Sequence, residues 1–357
     1  MNPFSGRVTL PAESESKQEV FMKALRFLLY IIVGLAALLV ILGLIAPKSY
    51  RVERSMEMTA PPQVVFFHVQ YWTKWQAWLP WGKDDVDLKI TYKGVDGTAG
   101  SSYSWIGTKS GSGEMSASTI KPAEELAYHL KFITPMASEA DGFVRVAPAP
   151  GGSKVTWAMF GRDPFPWNIL MLFMSMDKMI GKDFERGLTS LKEISEKDEA
   201  QIAAYIVTPV DFPGRTFAAL RQTVAIAGIP DFFTASFGRL MAATASKGLT
   251  MAGPPCGLYY TWDEKTQTTE IAAALPISGP KAIGEGIELV TLPKARAFVI
   301  DYYGPYDRSM LAYQAMDRYF ARNNLRQSMP ILEEYVTDPG TAPDPAKVLT
   351  RIYFFAR

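Results

Sequence analysis

Near the C-terminus the run ILEEYVTDPG holds Glu333, Glu334 and Tyr335. On a β-strand, where successive side chains take opposite faces, Glu333 and Tyr335 share one face and Glu334 takes the other. That makes Glu334 the solvent-facing member of the pair. A carboxylate beside aromatic rings attracts a cation through its charge and through the ring quadrupole together. On an edge strand the same residues are simply solvated charges. Tyr302, Tyr303 and Tyr306, around Gly304 and Pro305, either bring a phenol to such a site or fix the turn before a helix. Trp75, Trp78, Trp81, Trp105 and Trp157, with Phe132, form an aromatic set that either lines a pocket for apolar molecules or fills a core.

Other chemistry is poorly supplied. The only cysteine is Cys256 and the only histidines are His68 and His129, too few for a zinc site of familiar spacing, so no metal is expected. Both histidines stand in apolar strand or helix patterns and read as scaffold. No phosphate-cradling glycine loop, nucleophile elbow or zinc-protease motif is present, so no cofactor is expected either. With 37 basic against 36 acidic residues and a pI of 7.7, the chain lacks the basic excess that gripping phosphates requires, and no nucleic acid is expected as a partner.

The elements that must position these residues follow from patterning. From Phe27 to Ile45 the sequence FLLYIIVGLAALLVILGLI carries no charge and is long enough to cross about 30 Å of hydrocarbon. It exceeds the apolar core of a cleaved signal peptide and lacks a clean cleavage site, so a transmembrane helix over 27–46 is expected, behind a tail over 1–26. Arg7, Lys17, Lys23 and Arg26 precede it and Lys48, Arg51 and Arg54 follow. This slight bias favours an internal N-terminus: a single-pass protein, expected in a bacterial inner membrane with its soluble domains outside the cytoplasm. Beyond it a strand from Tyr50, a short helix opened by Pro61-Pro62, glycine-punctuated strands through Phe160 and a long amphipathic helix through Ile194 form one domain. The Met-rich stretch from Met171 to Met179 reads as cavity lining or gap-filling core, and its apolar start, WNILMLFM, as a possible bilayer contact. The charged run from Ser195 to Ala200 breaks the apolar period and marks a domain boundary. Past it, strand, helix and hairpin occur twice, over 217–276 and 296–355, which suggests a duplicated unit.

The stretches APPQVVFFHV, WTKWQAWLPW, YKGVDGTAGSSYSW, SKVTWAMFG and FERGLTSLK resemble the START-like (SRPBCC) superfamily of polyketide-cyclase and Bet v 1 type proteins over 50–196. That resemblance implies a helix-grip fold with a cavity for apolar molecules or lipids. IDYYGPYDRSMLAYQAMDRYF, ILEEYVTDPG and LTRIYFFAR resemble the GyrI-like effector-binding domain over 203–357. The second resemblance implies a cleft between two half-domains where a glutamate, here Glu333, and aromatics receive cationic or aromatic compounds. The expected fold is therefore α+β, with a membrane helix, a helix-grip domain and a duplicated α+β domain. The expected function is a membrane-anchored protein that senses, sequesters or hands on apolar or cationic small molecules, without catalysis. Some GyrI-like proteins are hydrolases, and under that alternative Glu333 with Tyr303 or Tyr306 supplies base and proton donor. A ligand-free scaffold is the third reading. No DNA-reading module accompanies the second domain, so the regulator role of its relatives does not carry over.

Overall fold

A computed structural model of the chain describes residues 12–264, 266–278, 284, 286–338 and 340–357, with side chains from residue 20 onward except that of residue 307. Part of the expected tail, residues 1–11, lies outside the described residues. Helix α1 (Ala12–Ile45) comes first, and its segment Val20–Ile45 is, among the described residues, the one helix long and apolar enough to cross a membrane. Nearly all of its side chains are exposed, as no soluble core helix could tolerate.

The first domain contains β1 (Ser49–Met58), α2 (Pro62–Gln70), α3 (Trp72–Trp75), β2 (Lys89–Lys93), β3 (Ser102–Gly107), β4 (Gly111–Lys121), β5 (Glu125–Thr134), β6 (Ser138–Ala149), β7 (Gly152–Arg162) and α4 (Met176–Ala204). The strands form an antiparallel sheet in the order β1-β7-β6-β5-β4-β3-β2, so the first strand closes onto the last. Alternation drives the curl. In β5, Leu126, Tyr128 and Leu130 point inward and are buried in one core cluster with Phe184, Leu188 and Leu191 of α4. A 3-10 turn over Trp167–Leu172 joins β7 to α4.

Helix α4 continues through the charged run Ser195–Ala200 to Ala204. Glu, Lys and Ala are good helix formers, and the loss of apolar period there records a change of surroundings rather than the end of the helix. This extension meets the second domain. Arg318 donates to both carboxylate oxygens of Glu199 at 2.7 and 2.8 Å, and Ile202 is buried.

The second domain contains β8 (Thr208–Phe212), β9 (Arg215–Ala225), α5 (Ile229–Ser246), β10 (Thr250–Met251), β11 (Cys256–Tyr259), β12 (Thr268–Ser278), β13 (Glu288–Leu292), β14 (Ala295–Tyr303), α6 (Met310–Arg322), β15 (Gln327–Tyr335) and β16 (Leu349–Ala356). The sheet order is β13-β9-β12-β11-β15-β16-β14-β8, with β10 added beside β12. Exchanging β8 with β13, β9 with β14, β11 with β15 and β12 with β16 reverses that order onto itself, so the duplicated unit is present with a pseudo-twofold axis through the central pair. Strand β8 lies at the opposite end of the sheet from β9, yet only Pro213 and Gly214 connect them, and Pro293 and Lys294 join β13 to β14 in the same way. Connections that short require the two ends of the sheet to curl together.

Candidate functional site

The two helices of the second domain cover the flanks of its sheet. Helix α5 packs on β9 and β12, while α6 packs on β14 and brings Phe320 against Phe354 of β16. The central strands β11 and β15 pair with each other between the strands that the two helices cover. Register places Glu333 opposite Gly257. Gly257 pairs in turn with Ala273, and Glu333 with Ile352. Ala273 and Ile352 pair with Leu220 and Ile300, matching positions of β9 and β14. Gly257 and Glu333 are therefore pseudo-equivalent, and the axis runs through their pair. Tyr259 and Tyr335, each two residues on, are equivalent too.

That arrangement explains the glycine. A Cβ at Gly257 would lie 2.4 Å from the Tyr335 hydroxyl, 3.0 Å from the Tyr259 ring and 3.1 Å from Phe233. One half-domain supplies the acid, and the other leaves out a side chain so that both equivalent tyrosines reach it. The Tyr313 hydroxyl, from α6, donates to Glu333 at 2.7 Å and the Tyr335 hydroxyl at 2.9 Å, with Tyr259 a further donor. Tyr259 and Tyr335 hydroxyls also lie 3.2 Å apart. Phe233 and Phe237 of α5 and Tyr306 stand edge-on to the Tyr335 ring at 5.7, 6.1 and 5.5 Å. These outer rings are half-buried or exposed, whereas Glu333 is only 6% exposed.

Glu333 thus has aromatic walls and phenolic donors, and among the described residues no basic side chain forms an ion pair with it. Burial raises its pKa and the tyrosine hydrogen bonds oppose the shift. The phenols of Tyr259, Tyr313 and Tyr335 are pushed well up, by burial first and by the Glu333 charge second.

Two pH effects of opposite sign follow. A folded-state pKa raised above the unfolded value means that the protonated acid favours the fold. Its contribution is full below the unfolded value and is lost as pH rises through the folded one. Any cation held beside Glu333 would need the carboxylate, so its affinity should climb over that window and level off above it. Calorimetric affinities and hydrogen-exchange stabilities measured across pH should slope in opposite directions, and Glu333→Gln should flatten both. Gly257→Ala should push the Tyr335 hydroxyl off Glu333, weaken cation binding about tenfold, the scale of one charge-assisted hydrogen bond, and move the pH midpoint upward.

The remaining sequence-based candidates fall elsewhere. Tyr302 lies on the same face of the sheet as Glu333, but it is 1% exposed and its hydroxyl donates to the Pro305 carbonyl at 2.6 Å, a turn-fixing role. Tyr303, the next residue, points to the opposite face and is 58% exposed, which takes it away from Glu333. The phenols brought to the acid are instead Tyr313, Tyr335 and Tyr259, of which Tyr313 and Tyr259 were not among the sequence candidates.

Glu334 corrects a second expectation. It does face away from Glu333, but not into solvent. At 2% exposed it is ion-paired with Arg215 and accepts from the Tyr353 hydroxyl at 3.0 Å. Burial, then Glu334, pushes the Tyr353 phenol up to about 12. The curl of the sheet closes this face over Phe212, Phe217, Cys256 and Leu292, so both faces of β15 are inside.

In the first domain Trp75, Trp78 and Trp157 are fully buried and pack on one another at ring distances of 4.7 to 6.5 Å. Trp157 stacks on Phe184 at 4.0 Å. Their indole N–H groups donate to the Val69 carbonyl, the His68 carbonyl and the Tyr128 hydroxyl, which leaves none to meet a ligand. Trp81 is 38% exposed and donates to Asp183, while Trp105, half-buried beside Phe132, donates to the Ser110 carbonyl.

Fold and site together define a two-domain α+β protein with an apolar N-terminal helix and, in its second domain, a buried acid set among aromatic rings. Residues 49–196 match the polyketide cyclase / dehydrase and lipid transport family, and residues 207–355 match the GyrI-like small molecule binding domain; the chain carries these two domains in that order. Both families bind small molecules or lipids. A comparison with curated proteins returns no match. Similar solved structures include the C-terminal domain of EcmrR, at 18% identity and a TM-score of 0.40, covering 43% of this chain and 98% of that one. A hydrolase from Listeria innocua matches at 14% identity and a TM-score of 0.34, covering 45% and 98%. Ara h 8.0201 matches at 13% and 0.32, covering 42% and 99%.

Proposed function

We propose that this protein is a membrane-anchored receptor or carrier for small aromatic cations, which it holds in the cleft of its GyrI-like domain with Glu333 as counter-ion. One observation carries the reading: Glu333 is a buried acid with phenolic donors and, among the described residues, no basic partner, while the adjacent Glu334, equally buried, has Arg215. A buried carboxylate left without a counter-charge costs several kcal/mol unless something offsets it, and a cation stacked among Phe233, Phe237, Tyr306 and Tyr335 would do so. The span Val20–Ile45 supports attachment to a bilayer, with the first domain between membrane and cleft. The sensing, sequestering or hand-on roles all use this binding step, and the packed indoles of the first domain are not required for it.

The test pairs a permanently charged aromatic with an uncharged one of the same size, N-methylquinolinium against 1-methylnaphthalene, titrated into the full-length protein. Preference for the cation supports the reading. Equal affinity, or no saturable binding of either, removes it, and mass spectrometry of the recovered compounds detects any turnover.

A further inference from the structure

We infer that the segment joining β7 to α4 is a second membrane contact, inserted into the leaflet that holds the C-terminal end of α1. This inference rests on the reading that α1 spans a bilayer. Between Asp163 and Asp177 no residue is charged, and the side chains of Phe165, Trp167, Leu170, Leu172, Phe173 and Met174 are 38 to 81% exposed. On a soluble surface, so many contiguous exposed apolar side chains mark a binding face.

Contacts with the anchor fix what covers that face. The Asn168 side chain, 1% exposed, donates from Nδ2 to the Gly43 carbonyl at 2.7 Å. That carbonyl is one of the last four of α1, which have no partner within the helix. The Phe165 ring lies so close to Gly43 that a Cβ there would be 2.5 Å from it. Gly43 stands two residues before α1 ends at Ile45, about 3 Å along the helix axis. A segment seated on Gly43 is therefore level with the hydrocarbon boundary wherever the helix spans. Polarity changes near the same level: the recess between helix and segment is lined by the apolar Val40, Leu44 and Phe165 and by the charged Lys48, Arg162 and Asp163. Apolar groups, charged groups that are mostly basic and a tryptophan in the same segment match the composition of a bilayer interface. The insertion gives the first domain two attachments, which fix its tilt on the membrane rather than leaving it to swing from the helix.

The test places nitroxides on the full-length protein in phospholipid nanodiscs, at Phe173→Cys, at Leu35→Cys within the span and at Val86→Cys, a site 95% exposed. Cys256 is buried, so the native thiol contributes little label. Oxygen, which partitions into lipid, should relax the labels at 35 and 173 several-fold more than a water-soluble nickel chelate does, and the order should invert at 86. With native side chains, brominated lipid should quench the wild type more than Trp167→Phe, with Trp262→Phe unchanged from the wild type. A label at 173 that behaves like 86 while 35 behaves as lipid-exposed overturns the inference and spares the anchor. A label at 35 that reports water overturns both.

Discussion

Glu333→Gln is expected to weaken aromatic cations by about 10- to 150-fold, the equivalent of roughly 1.5 to 3 kcal/mol for a charge-assisted contact. The amide keeps the shape: its oxygen accepts from one of Tyr313 and Tyr335, which in Glu333 reach different carboxylate oxygens, and its NH2 donates to the other hydroxyl, so the surrounding rings stay in place. What disappears is the charge, and the affinity of an uncharged isostere should therefore change little. Stability without ligand should hold or rise, because the variant no longer buries a carboxylate whose ionised form is disfavoured there. Calorimetry with N-methylquinolinium and 1-methylnaphthalene on wild type and variant separates these effects. Equal losses for cation and neutral compound would mean that Glu333 shapes the cleft without supplying its charge.

Much of this site was legible in the sequence, and the reasons for the gaps are physical. The period of two placed Glu333 and Tyr335 on one face, and the repeated strand, helix and hairpin anticipated the pseudo-symmetric sheet. Period alone cannot say what lies beyond each face. Glu334 reads as solvated because an alternating strand ordinarily has a wet side, and only the closure of β8 and β13 over the far face buries it. Tyr259 lies 76 residues from its hydrogen-bond partner Tyr335 and shows no local signal. The usable signal was the duplication, since aligning Gly257 with Glu333 also aligns the two tyrosines. Tyr313 belongs to an amphipathic helix in which a tyrosine reads as core. The tryptophans of the first domain are ambiguous for the same reason: density of rings predicts an apolar interior, but whether that interior is filled depends on the approach of α4 and its Phe184.

The opposite face of β15 should respond in the opposite way. Arg215→Met leaves Glu334 buried with Tyr353, among the described residues, as its remaining side-chain donor, and removing one partner of a buried ion pair costs about 3 to 5 kcal/mol. Arg215 is 27% exposed in its side chain against 3% for Glu334, so solvent screens the arginine partly and the lower end of that range is expected. The double variant Arg215→Met with Glu334→Leu should recover most of the loss, since well-packed apolar side chains replace a buried pair at little net cost. Their neighbours Phe212, Cys256 and Leu292 already provide an apolar setting. Hydrogen exchange at the β15 and β16 amides reads the local opening free energy without requiring both domains to unfold together. Because the backbone of β15 lies between this pair and Glu333, the double variant should bind N-methylquinolinium as the wild type does. Retained stability in Arg215→Met would show that Glu334 does not depend on Arg215 in the fold, and would remove the contrast with its neighbour on which the assignment of Glu333 as counter-ion depends.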